Sequence, residues 1–322
     1  MLSRVAEHIY WMARYVERAE NTARLMNVNS HLLMDLPKQM RPGWQPIIDI
    51  LGARDLFLSL NEDVDERQVL RFIISDIHNP GSILSTLRMA RENARTIRDI
   101  IPREAWEQMN DHFQQATRSS QNGLSPRKRH DYLRTIILGS QTLTGLLAGT
   151  MTHDEGYEFL RLGRNLERAD MTTRIIDVRS ANLLQGVGEG AATAGENGQP
   201  FQNIQWMSVL KSLTAYQMYR RAVQVRVRRP DVLRFLLQER KFPRGLFHTL
   251  CESELCLKTL PHNDKAMQAV TRVKNKVMRA KPEKFSQDQL HEFIDQLQLG
   301  LARVHDAVAD SYFRSRHDLT QL

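Results

Sequence analysis

Tyr10-Trp11-Met12-Ala13-Arg14-Tyr15-Val16-Glu17-Arg18-Ala19-Glu20-Asn21-Thr22-Ala23-Arg24-Leu25 returns 150 residues later as Leu160-Arg161-Leu162-Gly163-Arg164-Asn165-Leu166-Glu167-Arg168-Ala169-Asp170-Met171-Thr172-Thr173-Arg174-Ile175. An arginine, Glu-Arg-Ala, an acid, a threonine and a second arginine recur in register. In the first copy Ile9, Met12, Ala13, Val16, Ala19, Ala23 and Met26 follow a three- and four-residue spacing. That spacing places them on one face of a helix, with the charges along its border. The helix should start at Ser3, a good N-cap, and end near Leu36, before Pro37.

The repeat extends beyond this helix. Trp44, Ile47, Ile48, Leu51 and Ala53 correspond to Trp206, Val209, Leu210, Leu213 and Ala215 at an offset of 162. Val69-Leu70-Arg71-Phe72 returns letter for letter as Val232-Leu233-Arg234-Phe235, and His130-Asp131-Tyr132-Leu133 corresponds to the similar His291-Glu292-Phe293-Ile294. The offset jumps where Gly186-Val187-Gly188-Glu189-Gly190 opens a stretch rich in Gly and polar residues, so one insertion accounts for it. A tandem duplication is expected, residues 1–151 and 152–322, with a flexible linker near 186–200. A repeat this long is not a solenoid unit. Alternating strand patterns are nearly absent. The expected fold is all-α, two pseudo-symmetric bundles of about six helices each. The remaining helices should start near Trp44, at Asn79-Pro80, around Pro102, at Ser125-Pro126 and at Thr152-His153-Asp154-Glu155, the last read as a capping box.

Composition narrows the function classes. Of the 322 residues 41% are hydrophobic and 25% charged, which allows an ordinary core and argues against global disorder. No apolar run approaches a membrane span. Charged residues interrupt the apolar ones near the N-terminus, so no secretory h-region is expected. Two cysteines, Cys251 and Cys256, do not make a disulfide framework, and a reduced cytoplasmic setting is the expectation. The net charge of +8 favours anionic partners.

The duplicated helix carries the candidate site. Glu17 follows Val16 and sits near the buried edge, where a charge must be paired or be costly. Three readings follow. Arg14, Glu17, Arg18, Glu20, Asn21 and Arg24, with Arg164, Glu167, Arg168, Asp170 and Arg174, could form an ion-pair network clamping the two halves. They could instead line a polar cleft in which arginines bind an anionic small molecule or an acidic peptide. Or Glu17 and Glu167 could be a catalytic acid/base pair, which requires perturbed pKa values.

Other stretches point less sharply. Arg220, Arg221, Arg226, Arg228, Arg229, Arg234, Arg240, Lys241 and Arg244 form a basic run with Tyr216 and Tyr219 nearby. It suits an acidic protein surface or a solvated face better than nucleic acid, because Pro230 breaks it. His153-Asp154-Glu155 cannot converge on a metal from consecutive helical positions, and Gly186-x-Gly188-x-Gly190 lacks the following Gly-Lys-Ser/Thr of a phosphate loop. Neither a metal nor a cofactor is expected.

Glu17-Arg18-Ala19-Glu20-Asn21-Thr22-Ala23-Arg24 after Tyr10-Trp11, Glu167-Arg168-Ala169 after Gly163-Arg164, and Phe242-Pro243-Arg244 resemble the bacterial alpha-E proteins, all-helical and named for a recurring Glu-Arg motif. The resemblance covers essentially the whole chain. It implies partnership with a circularly permuted ATP-grasp protein and a transglutaminase-like protein, in peptide-like amide-bond formation or protein modification. On that basis the chain is expected to be an accessory subunit that binds the ligase or an acidic substrate through a paired Arg/Glu cleft. The alternatives are an enzyme making or cleaving an amide bond with Glu17 and Glu167, and a nucleic-acid-binding protein. The second copy departs from the first at Met171, which stands where the first has Asn21.

Overall fold

The computed structural model describes residues 1–36, 43–61, 65–185, 199–223 and 226–314, with side chains except at 179–185 and 199–202. Among these residues there are helices and no strands, as the missing alternation requires. The helices are α1 (Ser3–Asp35), α2 (Gln45–Ile50), α3 (Arg54–Leu60), α4 (Glu66–Ile74), α5 (Ile83–Thr96), α6 (Arg103–Arg118), α7 (Ser120–Leu124), α8 (Arg129–Thr150), α9 (Glu155–Gln185), α10 (Gln199–Ser212), α11 (Tyr216–Val223), α12 (Arg229–Gln238), α13 (Leu246–Thr259), α14 (Asp264–Arg279) and α15 (Gln287–Tyr312).

The two long motif helices, α1 and α9, pack directly on each other. α1 spans roughly 50 Å at 1.5 Å per residue. It buries Val16, Ala19, Ala23 and Met26, while α9 buries Leu162, Leu166, Ala169 and Ile176. Small residues let the backbones approach. A Cβ added at Gly163 would lie 2.4 Å from the Tyr10 carbonyl oxygen, so glycine is needed at this crossing. Around α1 sit α5 and α8, and around α9 sit α13 and α15. Within these sets α5 packs on α6 and α6 on α8, as α13 packs on α14 and α14 on α15. One continuous apolar core runs through all of them.

Several expected boundaries move, each for a local reason. Leu2, not Ser3, precedes the first turn, and no side chain caps it. The helix expected from Trp44 is two pieces, because Gly52 adopts φ +66°, outside the helical region, between α2 and α3. Asn79-Pro80 forms a turn, with Asn79 Oδ1 accepting from the Gly81 N–H at 2.9 Å, and Ser82 is the N-cap of α5. α8 begins at Arg129, whose N–H donates to the Ser125 carbonyl at 2.8 Å. At α9 the cap is Asp154, which accepts from Gly156 and Tyr157 N–H, rather than a Thr152–Glu155 box. The described residues hold eight α-helices up to Thr150 and seven after it, where about six in each half were expected. The Gly-rich stretch at 186–198 lies outside the described residues.

Candidate functional site

The charged border of α1 meets that of α9, and the ion pairs cross between the helices. Glu167 on α9 accepts from two arginines of α1: Arg14 Nε at 2.8 Å and Arg18 Nε at 2.5 Å, with Arg18 Nη2 at 3.0 Å. Glu17 on α1 faces Arg168 of α9, whose Nε lies 3.0 Å from Oε2. That contact is an ion pair in which Nε is not aimed along a hydrogen bond. Arg14 and Glu17, three residues apart on one helix, pair across to α9 rather than with each other. Glu20–Arg24 and Asp170–Arg174 do pair within their helices, each at 2.8 Å.

A third element completes the network. Arg244, at the turn before α13, donates from Nη1 to Glu17 Oε1 at 2.8 Å and to Asn21 Oδ1 at 2.6 Å, and from Nη2 to Glu20 Oε1 at 2.7 Å. The Arg244 carbonyl accepts from Thr172 Oγ1 at 3.1 Å, which ties the turn to α9. Sequence spacing placed Arg244 in the basic run, and its partners stand more than 220 residues away. The one hint was the Phe242-Pro243-Arg244 segment.

Electrostatics follow from burial. The Glu17 and Glu167 side chains are 2% and 1% exposed. Burial pushes both carboxyls up, but the guanidiniums outweigh it: Arg168 and Arg244 hold Glu17 at about 2, and Arg18 and Arg14 hold Glu167 at about 2. Both are ionised at neutral pH, with no proton to give and little basicity. Arg164 has no hydrogen-bond partner at Nε, and burial pushes its pKa down. Asn21 Nδ2 is also unpartnered.

A cleft of about 290 Å³ opens on one side of this clamp. Arg18, Glu167, Asp170, Met171 and Arg174 form its α1/α9 wall, with Leu51, Gly52 and Ala53 from the α2–α3 turn, Leu56 from α3, and Asn79, Pro80 and Gly81 from the turn before α5. Arg18 and Arg174 are the accessible guanidiniums, 27% and 33% exposed. Gly52 lets Arg174 lie against the turn, since a Cβ there would meet its Nη1 at 2.8 Å. On the Glu17 side lies a void of about 20 Å³, lined in part by Glu17 and Arg164.

The other candidates separate. In the basic run Arg244 is buried in the clamp and Arg229 donates to the Phe285 and Ser286 carbonyls. Arg220, Arg221, Arg226, Arg228, Arg234, Arg240 and Lys241 are exposed. His153 stacks on Tyr157. Cys256 is buried, Cys251 partly so, and neither is in a disulfide. Among the described residues, Asp177, His291 and Asp295 bring possible ligand atoms within 4.8 Å of one another. Both ring nitrogens of His291 there face carboxylates, Asp177 at 2.8 Å and Asp295 at 3.7 Å, as in an ordinary ion pair. No described helix is long and apolar enough to cross a membrane.

Fold and site together define an all-helical protein whose two Glu-Arg helices interlock through crossed, buried charges. The chain belongs to the Alpha-E family, described as a predicted alpha-helical domain with a conserved ER motif, which matches residues 1–313. An uncharacterized protein of Mycobacterium tuberculosis (strain H37Rv) is 21% identical over 328 residues, covering 95% of this chain and 36% of the relative. An uncharacterized protein of Mycobacterium bovis is similar to the same extent. The chain thus spans about a third of the length of these relatives. No solved structure matches it.

Proposed function

We propose that the chain is a docking module of an amide-bond-forming system, an accessory subunit that binds an ATP-grasp-type ligase at the cleft beside Glu167. The observation that carries this reading is the division of labour within the motif. Glu17 is buried among paired charges and Glu167, at the cleft wall, has both oxygens held by Arg14 and Arg18, while Arg18, Asp170 and Arg174 line an open cleft. Glu17 and Glu167 then act as structure, holding the helices that shape the cleft, and the acid/base reading loses its proton donor. The exposed arginines of 220–241 would draw in an acidic substrate or the acidic face of a transglutaminase-like partner.

The length of the mycobacterial relatives supports a modular role, since the matching region is there joined to other sequence. The test is reciprocal affinity purification of the full chain with its ATP-grasp partner, with and without ATP and substrate. A stoichiometric complex is expected. Absence of a complex under every condition would refute the reading.

A further inference from the structure

The cleft has a filled counterpart in the same molecule. α5 follows Asn79-Pro80-Gly81-Ser82, and α13 follows Phe242-Pro243-Arg244-Gly245. With the prolines matched, the offset is the 163 residues of the Val-Leu-Arg-Phe repeat, and Gly81 corresponds to Arg244. The neighbouring turns match too. Gly52 and Thr214 both take positive φ, +66° and +54°. Ala53 N–H donates to the Ile48 carbonyl as Ala215 N–H does to the Leu210 carbonyl. Arg244 inserts its guanidinium against Glu17, Glu20 and Asn21 beside Arg24. The corresponding Glu167, Asp170, Met171 and Arg174 line the open cleft, with side-chain-free Gly81 where the arginine would stand.

We propose that this cleft receives a guanidinium group on an aliphatic stem supplied from outside the chain, in the manner of Arg244 in the matching pocket. The docking reading above supplies its source, an arginine side chain of the bound polypeptide; free arginine has the same chemistry. Local charge permits it. Without Arg244, its pocket sets Glu17 and Glu20 against Arg24, Arg164 and Arg168. The cleft likewise sets Glu167 and Asp170 against Arg14, Arg18 and Arg174. The balance is the same, one excess positive charge, and the first site already holds a guanidinium. Glu20 Oε1 accepts from both Arg24 at 2.8 Å and Arg244 at 2.7 Å, so Asp170 can keep Arg174 and take a second donor. Two guanidinium nitrogens serve three acceptors on α1, a reach that one ammonium lacks. Met171 removes the acceptor that Asn21 provides, which suits a reversible ligand rather than a permanent strut.

The test is isothermal titration of the full chain with N-acetyl-argininamide, N-acetyl-lysinamide, free L-arginine and inorganic phosphate. The arginine amide should bind at least about tenfold more tightly than the lysine amide and phosphate. Free arginine binding as well as the amide would identify a small-molecule source, and weaker binding a polypeptide one; either supports the proposal. Asp170→Asn should weaken the arginine amide about tenfold. Gly81→Arg, which fills the cleft from within, should abolish its binding without lowering the thermal midpoint. Equal binding of the lysine amide, tighter binding of phosphate, or no binding by either arginine probe would overturn the proposal. If the wild type co-purifies with the ligase but binds neither arginine probe, the guanidinium proposal fails and docking stands. If the wild type binds the arginine amide but no ligase, docking fails and the guanidinium site stands.

Discussion

Replacing Glu17 by glutamine removes one charge and almost no volume, so it isolates the electrostatics of the clamp. In the folded chain Glu17 is held at about 2 against an ordinary 4.5, by Arg168 and Arg244 acting against burial. That is roughly 300-fold weaker proton binding, worth about 3 kcal/mol. The mutational scale agrees, since removing one partner of a buried ion pair costs about 3–5 kcal/mol. Glu17→Gln should therefore destabilise by about 3 kcal/mol. With an m-value of roughly 3 kcal/mol/M, the urea midpoint falls by about 1 M at pH 7. Sign fixes the pH dependence. A carboxyl depressed in the fold stabilises above its unfolded pKa and loses that stability as pH falls towards the folded value. The glutamine variant has no such loss, so the gap should narrow between about pH 5 and pH 3. A midpoint shift under about 0.2 M, or a gap that stays constant over that window, would refute the reasoning.

Two further outcomes follow from the core. Burial holds His112 at about 4 against an ordinary 6.5; the unfolded chain binds the proton first, so stability should fall by roughly 3 kcal/mol as pH drops from about 6.5 to 4. Urea midpoints across that range should show the slope in the wild type and lose it in His112→Asn. Gly163→Ala would push a methyl group against the Tyr10 carbonyl, where backbone cannot yield, and force α1 from α9. A loss of about 1–3 kcal/mol is expected by thermal melting, and an unchanged midpoint would deny the close crossing.

The long helices α1 and α9 were legible because their apolar spacing runs for many turns and their charged letters recur. Boundaries were less so where turn chemistry competes. Asn79 spends its side chain on the Gly81 N–H and the Phe72 carbonyl, leaving Ser82 to cap the helix. A glycine inside an apolar pattern, such as Gly52, does not announce a positive φ. Within the site, pairing along one helix could be read from spacing, as for Glu20–Arg24 and Asp170–Arg174. The crossed pairs and Arg244 could not, since they join residues brought together only by the tertiary fold.

The crossed pairing also sets an order of events in synthesis. Glu17 of α1 has its countercharges on α9 and before α13, so the leading half leaves the ribosome with its keystone unmade. At about 5–20 residues per second, that exposed stripe waits on the order of ten seconds or more for its partner helix. Until then the nascent bundle is open along one flank, to be closed by the second long helix and then by the turn that carries Arg244.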